Sequence, residues 1–408
     1  MDSPESWVPN PGSRVLGPGS WILFSIVLHL KNVVKYPGGG SMKFTCEKTA
    51  LAKEISFAQE IIASKNALSI MSNVLLEAAD GALAIRATDI KVGFETRIPV
   101  DVAVPGSVTV FCDKLSGILS SIPEGDIEVE YDDAKVILKP QFKKVRFQLK
   151  TISSEKFPEL PVTAETTWFS LPAKDLKEMI TQTVFAVSDD ETRYFMNGVF
   201  LERTPEGLVM VATDGRRLAY IRKEIDSSVP DFKGVIVPPK ILSLILKHAS
   251  DEGPVDLAVT EKNLFVKFGT YRVSSVLIEG QFPNYQKVIP QSQTQHFVLN
   301  RAETLDALRR VSIFVEQKSR RTFFNLSAGS LAVSSEESEL GTAKEEIPCR
   351  YSGEDALLAL NYKYLEDPFR VIKSEEVRIE FTEPNRAITV RPEPETDYFH
   401  IIMPMQME

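Results

Sequence analysis

The sequence has few of the residues that build metal, redox and disulfide sites. Only three of its 408 residues are cysteine and four are histidine. Cys46, Cys112 and Cys349 lie far apart and form no CxxC pair, which is typical of reduced thiols without zinc. No glycine-rich phosphate loop and no GxSxG motif occurs, so the usual signals of an enzyme are missing. The acidic residues 189–191 allow a metal site, although a solvated loop is the simpler interpretation.

Long apolar runs are also missing. The apolar segment 21–28 is shorter than the roughly 20 residues that cross a bilayer. It lacks the preceding basic cluster and the following small residues of a signal peptide. Residues 1–41, with five prolines and a Gly38-Gly39-Gly40 run, are therefore expected to be a disordered leader outside any domain. Met42 is expected to begin the first domain.

Composition indicates a soluble, cytoplasmic protein of several domains. Hydrophobic residues make up 43% of the chain and charged residues 25%, which are ordinary globular values. The length exceeds that of one ordinary domain. The formal net charge of −9 argues against a protein coated with nucleic acid, but leaves room for local basic faces.

The chain repeats itself at an offset of 125 residues. This offset relates Phe44 to Phe169, Leu51 to Leu176, Thr88 to Thr213, and residues 157–158 to 282–283. A weaker third copy opens at Phe297 and ends with the tail 401–405. The repeat predicts three domains, 42–162, 163–290 and 291–408.

Each copy has the same pattern of elements. A short strand precedes a helix with apolar residues three and four apart, and strands then bracket a Thr-Asp turn. A second helix follows, predicted over 114–122 with Asp113 as its cap, and over 239–246 with Pro239 in its first turn. In copy three it begins near Asn361, and Pro368 should kink or shorten it. Alternating strands close each copy, so the fold class is α+β with two helices on antiparallel sheet in each domain.

Three similar domains in sequence should form an arc with exposed strand edges at its ends. Two arcs that meet head to tail would close a homodimeric six-domain ring, whereas an elongated monomer is the alternative. The residues expected at the joint are Lys114, Arg146, Phe147, Ile313 and Phe314.

Basic residues favour the predicted helices. A solvated surface explains any one of them, but the collective pattern fits a face that accepts phosphates without reading bases. A scaffold that binds only proteins has no need of such a face, and this distinguishes the two hypotheses. The residues concerned are Lys53, Lys65, Lys114, Lys174, Lys177, Lys240, Lys247, Arg301, Arg309, Arg310 and Lys363.

Four segments, 42–45, 212–219, 281–285 and 401–405, carry a family resemblance that covers the chain from Met42 to its end. They read MKFT, ATDGRRLA, QFPNY and IIMPM. The chain resembles the bacterial DNA polymerase III beta subunits, the sliding clamps. The resemblance implies a ring that encircles duplex DNA without sequence preference, gives processivity, and has no enzymatic activity or cofactor. It implies as partners the DNA polymerase III alpha subunit, the clamp-loader complex and other clamp-motif peptides, and no membrane.

The resemblance also implies two sites. The peptide pocket between domains two and three would use Met196, Thr213, Gly215, Arg216, Arg217, Leu218, Pro283, Lys287, Val288, Asn361, Tyr364, Ile401, Ile402, Met403, Pro404, Met405, Gln406 and Met407. Within it, Arg217 and Asn361 are expected to hydrogen-bond the peptide backbone. The positions that touch DNA would be Lys65, Arg193, Tyr194 and Phe195.

Overall fold

The structure is a computed structural model that describes residues 40–62, 69–132, 135–163, 166–225 and 229–407. The prediction of a leader at residues 1–41 concerns residues that lie almost entirely outside the described ranges. Lys65 also lies outside them. The described strands and helices form three consecutive sets that follow a common order.

The first set consists of β1 (Met42–Glu47), α1 (Lys48–Ile61), β2 (Asn73–Ala79), β3 (Ala82–Thr88), β4 (Val92–Pro99), β5 (Asp101–Val104), β6 (Gly106–Phe111), α2 (Cys112–Ser121), β7 (Asp126–Asp132), β8 (Lys135–Pro140) and β9 (Phe147–Ile152). The second consists of β10 (Phe169–Pro172), α3 (Ala173–Thr183), β11 (Val199–Thr204), β12 (Gly207–Thr213), β13 (Arg217–Lys223), β14 (Val235–Val237), α4 (Pro239–His248), β15 (Pro254–Val259), β16 (Asn263–Phe268) and β17 (Tyr271–Val276). The third consists of β18 (Gln295–Asn300), α5 (Arg301–Val311), β19 (Arg321–Ser327), β20 (Ser330–Ser335), β21 (Lys344–Arg350), β22 (Ala356–Asn361), α6 (Tyr362–Val371), β23 (Glu376–Phe381), β24 (Ile388–Glu393) and β25 (Tyr398–Ile402). Short 3-10 turns cover Ile70–Ser72, Ser154–Lys156, Val184–Ala186, Glu191–Met196, Tyr285–Val288 and Ser312–Phe314.

Two antiparallel sheets run across the borders between the sets. The 13-stranded sheet has the order β10-β15-β16-β17-β4-β3-β2-β6-β9-β8-β7-β1-β5, and the 12-stranded sheet has the order β14-β11-β12-β13-β25-β24-β23-β18-β21-β20-β19-β22. The first join pairs β4 with β17, and the second pairs β13 with β25. Neighbouring repeats are therefore connected by backbone hydrogen bonds as well as by the chain.

The helices pack because one side of each is apolar. In α1, Leu51, Ile55 and Ala58 recur at helical spacing and are fully buried. Their stripe faces a core that includes Phe44 and Phe94. An amphipathic helix over a half-buried sheet is the arrangement that the spacing predicts. The α+β class with two helices in each repeat is confirmed.

Two sequence expectations about the second helices are corrected. Asp113 does not cap α2: the helix begins at Cys112, two residues earlier than predicted, and its N-cap Phe111 makes no side-chain bond. Asp113 lies in the first turn, where its charge still suits the helix dipole. Pro368 does not shorten α6, which continues to Val371. The buried Leu365 and Phe369 anchor this helix, and that burial offsets the backbone bond that proline removes. Pro239 does begin α4, as predicted.

Besides the strands that end each sheet, two strands in the described part of the chain have partly open edges, one in the first repeat and one in the third. Strand β9 pairs with β8 through residues 147–150 but with β6 only at Thr151 and Ile152. Strand β21 pairs with β20 through residues 344–348 but with β18 only at Cys349 and Arg350. In the described part of the chain, both strands therefore keep a side without a strand partner, which is a template for further pairing.

Candidate functional site

The Thr-Asp-Gly turn between β12 and β13 is held by its own side chains. The Thr213 hydroxyl donates to the Arg217 carbonyl at 2.6 Å and accepts from the Gly215 amide at 3.0 Å. One Asp214 carboxylate oxygen accepts from the amides of Arg216 and Arg217. Gly215 has φ +86°, and a Cβ at this position would lie 2.9 Å from Nη1 of Arg193. The turn therefore needs glycine for its conformation, whereas the Arg193 side chain could shift away from a Cβ.

The Arg217 guanidinium is bonded within the chain through each of its nitrogens. Nε donates to Asp214 at 3.1 Å, Nη1 to Asp367 Oδ2 at 2.6 Å, and Nη2 to the Phe185 carbonyl at 2.7 Å. Its carbon centre also lies 4.7 Å from the centroid of the Tyr364 ring. This geometry favours an intrachain role over the expected contact with a peptide backbone.

The C-terminal tail bridges the second and third repeats. Strand β25 pairs with β13, so that Leu218 lies opposite Ile401. Beyond it, the Met403 amide donates to the Arg216 carbonyl at 2.9 Å, and the Met405 amide donates to the Ala359 carbonyl at 2.7 Å. The tail thus crosses from the turn to the edge of β22. Two backbone bonds fix its path while its methionine side chains stay partly exposed.

An apolar floor lies beside this tail. Leu218 and Ile401 are each 3% exposed and belong to a cluster that is separate from the main core. The other members of the cluster include Phe282 and Tyr285, which come from the connection between β17 and β18. Burial and the nearby Glu202 carboxylate raise the pKa of the Tyr285 hydroxyl. This hydroxyl donates to Glu202 and so secures the connection over the sheet.

The rim of the site is more exposed than its floor. Val288 is 54% exposed and Met403 47%, while Lys287 and Gln406 are also exposed. Flexible apolar side chains around a buried floor can adapt to a short peptide. The arrangement suits an extended segment with one or two apolar anchors.

The structure divides the predicted pocket residues into two groups. Consecutive strand residues point to opposite faces, so Leu218 and Ile401 share the floor whereas Arg217 and Ile402 point to the helix side. Ile402 packs in the main core, which favours a core role over its predicted place in the pocket. Asn361 caps α6, because its side-chain oxygen accepts from the Lys363 amide at 3.0 Å. That bond again favours an intrachain role over a peptide contact.

Most remaining predicted pocket residues lie on the elements that border the floor. These are the turn residues Thr213, Gly215 and Arg216, the half-buried Pro283, and the tail residues Pro404, Met405 and Met407. Met196 is 5% exposed at the end of the 3-10 turn that carries Arg193.

The described DNA candidates lie next to this site. Arg193 pairs with Asp190 at 2.9 Å, and its guanidinium adjoins Gly215. Tyr194 is 53% exposed, whereas Phe195 packs against the floor cluster. Hydrogen bonds from Thr192 and then Arg193 lower the pKa of Asp190. This carboxylate is thus committed to the loop, which favours the solvated-loop interpretation of residues 189–191. In the ranges that the structure describes, no group of three or more His, Cys, Asp or Glu could hold a metal ion.

Many basic residues on the helices are neutralised within the chain. Lys240 pairs with Asp89 at 2.6 Å, and Lys247 pairs with Glu60 at 2.8 Å. Lys177 and Lys363 likewise have acidic partners. Four of the predicted basic residues on the described helices have no intrachain ion pair, and they are Lys53, Lys114, Lys174 and Arg301, of which Arg301 donates to backbone carbonyls. The basic face is therefore weaker than the residue pattern predicts.

Exposed residues accompany the two open strand edges. Arg146 is exposed and Phe147 half-buried at the start of β9. Ile313 is 75% exposed and Phe314 37%, in the turn after α5. The Phe314 ring adjoins Gly341, close to the start of β21. The sequence around β9 is basic, and that around β21 is acidic. The residues that carry these charges are Lys143, Lys144, Arg146 and Lys150 in the first case, and Glu336, Glu337, Glu339, Glu345 and Glu346 in the second.

Comparisons with known proteins point to one family along nearly all of the described chain. Family models of the DNA polymerase III beta subunit match residues 42–161 (N-terminal domain), 170–284 (central domain) and 286–406 (C-terminal domain). The chain is 50% identical to the beta sliding clamp of Treponema pallidum over 371 residues, 90% of this chain and 100% of that protein. It is 28% identical to that of Escherichia coli over 369 residues, with the same coverage.

Solved structures agree with these matches. The sliding clamp of Pseudomonas aeruginosa bound to griselimycin has a TM-score of 0.85 and 29% identity, and the alignment covers 90% of this chain and 100% of that one. The sliding clamp of Bacillus subtilis has a TM-score of 0.85 and 26% identity, with the same coverage. The exact domain boundaries, 42–162, 163–290 and 291–408, stay predictions.

Proposed function

The chain belongs to the DNA polymerase III beta-subunit family, the sliding clamps, and we propose that two copies close into a ring that slides on duplex DNA and tethers the replicative polymerase. The protein is a non-enzymatic processivity factor, in keeping with its family. We propose that it acts in the cytoplasm without a cofactor, as the family resemblance implies. No described helix is long and apolar enough to span a membrane.

The open edges of β9 and β21 carry the ring proposal. They lie in the first and third repeats, so two copies related by a twofold axis bring each β9 to the other copy's β21 at two equivalent joints. The basic residues around β9 are complementary in sign to Glu337, Glu339 and Glu346 around β21. Glu336 and Glu345 already pair with Arg321 and Arg310. Ile313 and Phe314 would supply the apolar part of each joint. Pairing would satisfy edges that otherwise invite aggregation.

A recurring contact supports Lys114 at the same joint. In the first repeat, Asp89 of the Thr-Asp turn pairs with Lys240 on the second helix of the next repeat. In the second repeat, Arg217 beside the equivalent turn pairs with Asp367 on α6 of the next repeat. The third repeat has an acidic loop, residues 336–343, at this position. In a ring, the repeat that follows the third one is the first repeat of the other copy. The helix that faces the acidic loop would then be α2 of that copy, which carries the exposed Lys114.

Weak phosphate contacts suit a clamp that must slide. Charge pairs between protein and phosphate are sequence-independent, and their number sets the affinity and its salt dependence. The intrachain pairing of Lys240, Lys247 and Lys363 leaves few strong contacts on the helices, so duplex DNA would be retained by enclosure. Arg193 and Tyr194 are proposed as further DNA contacts beside the pocket, and Lys65 as one outside the described residues.

The site around Leu218 and Ile401 is proposed to bind partner peptides. A buried apolar floor with an adaptable rim suits a short peptide with leucine and phenylalanine anchors. We propose that the DNA polymerase III alpha subunit, the clamp-loader complex and other clamp-motif peptides bind here. Such a shared site would make the partners compete.

Retention on DNA tests the ring proposal. The protein is loaded onto nicked circular DNA, and half of the sample is then cut to linear form. A ring should stay on the circle and leave the cut DNA within minutes. Equal loss from both forms would refute enclosure and favour a scaffold that binds only proteins. A short competitor peptide with leucine and phenylalanine anchors, added afterwards, should release a bound polymerase subunit without releasing the clamp from the circle.

A further inference from the structure

Arg217 joins the second and third repeats from behind the proposed pocket. We infer that Arg217 and Asp367 form an interdomain latch that sets the shape of the pocket without contacting the peptide. This inference rests on the proposed function, because the pocket it positions is the proposed peptide site.

The ion pair is short and largely protected from water. Arg217 Nη1 lies 2.6 Å from Asp367 Oδ2, and the two side chains are 12% and 16% exposed. An arginine–carboxylate bond in such surroundings is stronger than a surface pair, and removing one partner leaves the other charge uncompensated. The pair therefore resists separation of β13 from α6.

The guanidinium also lies over two aromatic rings. Its carbon centre lies 5.6 Å from the Phe185 centroid and 4.7 Å from that of Tyr364. Phe185 belongs to the second repeat and Tyr364 to α6 of the third. A guanidinium that contacts a ring from each repeat links the two repeats through cation–π contacts, for which its planar shape suits it better than a lysine ammonium.

Strand geometry places the latch behind the floor. Arg217 and Leu218 are consecutive in β13, so their side chains point to opposite faces of the sheet. Leu218 faces the floor cluster, whereas Arg217 faces α6. The pocket rim is nonetheless close, because the Arg216 carbonyl holds the Met403 amide at 2.9 Å. A shift of Arg217 would move the floor, the tail and Tyr364 together.

The other joint between repeats shows what is particular to this one. There, Lys240 donates to Asp89 at 2.6 Å and to the Ile61 carbonyl at 2.7 Å, with the acid on the turn and the base on the helix. At the pocket joint, the base is on the turn and is an arginine that stacks on rings. An ion pair joins the repeats at both joints. At the pocket joint, the arginine also contacts the Tyr364 ring and so helps to position it.

A double-mutant cycle tests the latch. The variants are Arg217→Gln, Asp367→Asn and the pair together, with Asp306→Asn on the exposed side of α5 as the matched control. Affinity for a fluorescein-labelled peptide with leucine and phenylalanine anchors is measured by anisotropy. Each single substitution should lower the affinity for the peptide about tenfold, within the usual range of coupling between sites. The double variant should bind the peptide no more weakly than the weaker-binding single variant. If Arg217→Gln does not fold, Arg217→Lys replaces it, with an intermediate loss expected.

A distance measurement separates positioning from direct contact. Spin labels at Ser243→Cys in the second repeat and Glu303→Cys in the third report the separation of the two repeats. Asp367→Asn should broaden the distance distribution, and bound peptide should narrow it again. A loss of affinity in Arg217→Gln with none in Asp367→Asn would show that Arg217 touches the peptide, and would overturn the latch. An unchanged distribution in Asp367→Asn would overturn it as well.

The tail separates this inference from the proposed function. Removal of residues 403–408 from the otherwise unchanged protein should abolish peptide binding. If the truncated protein still binds, the pocket itself is misplaced, whatever the cycle shows. If the truncation abolishes binding while the cycle shows no coupling, the pocket stands and the latch alone fails.

Discussion

Ile313→Ala should weaken the dimer strongly and leave the protomer folded. The side chain is 75% exposed in the single chain, so its removal disturbs no core. In the proposed ring, it lies beside β21 at the joint with the other copy. The substitution removes three carbon atoms, which contribute roughly 2 kcal/mol when they are fully buried.

The expected loss follows from exposure and symmetry. Because three quarters of the side chain is available for burial, each joint should lose about 1.5 kcal/mol. A twofold ring contains the joint twice, so the total is about 3 kcal/mol and the dissociation constant of the dimer should rise about 100-fold.

Sedimentation equilibrium over a series of protein concentrations measures this constant directly. Val162→Ala is the control, because Val162 is 81% exposed and lies between the first two repeats, away from the proposed joint. Circular dichroism verifies that both variants fold. A dissociation constant for Ile313→Ala within threefold of the control would refute the placement of Ile313 at the joint.

Three further predictions concern a buried histidine, a strained turn and the tail. His400 has no hydrogen-bond partner for either ring nitrogen among the described residues, and burial, with a smaller effect of Arg217, lowers its pKa to about 3. In the unfolded chain, His400 takes up a proton near pH 6.5, so the free energy of unfolding should fall below that pH by up to about 1.4 kcal/mol per pH unit. Urea denaturation at several pH values should show a shallower fall for His400→Phe. Ile90 is 70% exposed with φ +76°, so Ile90→Asn should raise the free energy of unfolding by about 1 kcal/mol, and an unchanged value would argue against strain there. Removal of residues 403–408 should leave the sedimentation of the dimer unchanged. If the truncated protein sediments as a monomer, the tail belongs to the dimer joint and its assignment to the peptide pocket is wrong.

The internal repeat made much of the fold predictable. A shared offset between Thr88 and Thr213 implies a shared turn, and both turns do connect paired strands. Helical and alternating spacings are local properties, so they can be read along the chain. Helix ends are less predictable, because Asp113 and Pro368 each have a local preference that packing of the neighbouring residues outweighs.

The proposed pocket was only partly predictable. The turn, the tail and the connection at residues 281–285 are separate in sequence. The family resemblance predicts that they form one site, but it supplies only a list of residues. That list does not distinguish side chains that face the floor from those that face the helices. Alternation along β13 and β25 makes this distinction, and it separates Leu218 from Arg217 and Ile401 from Ile402.

The sequence by itself determined the three repeats, the α+β class and the family, because these depend on residue spacing and on contiguous motifs. Only the tertiary structure decided which groups meet across the repeats. The Arg217–Asp367 pair joins residues 150 positions apart. The open edges of β9 and β21 exist because each strand pairs with one of its neighbours over only two residues. Ion pairs and strand edges depend on distances of a few ångströms between distant segments, and such distances follow from the packing of the whole chain.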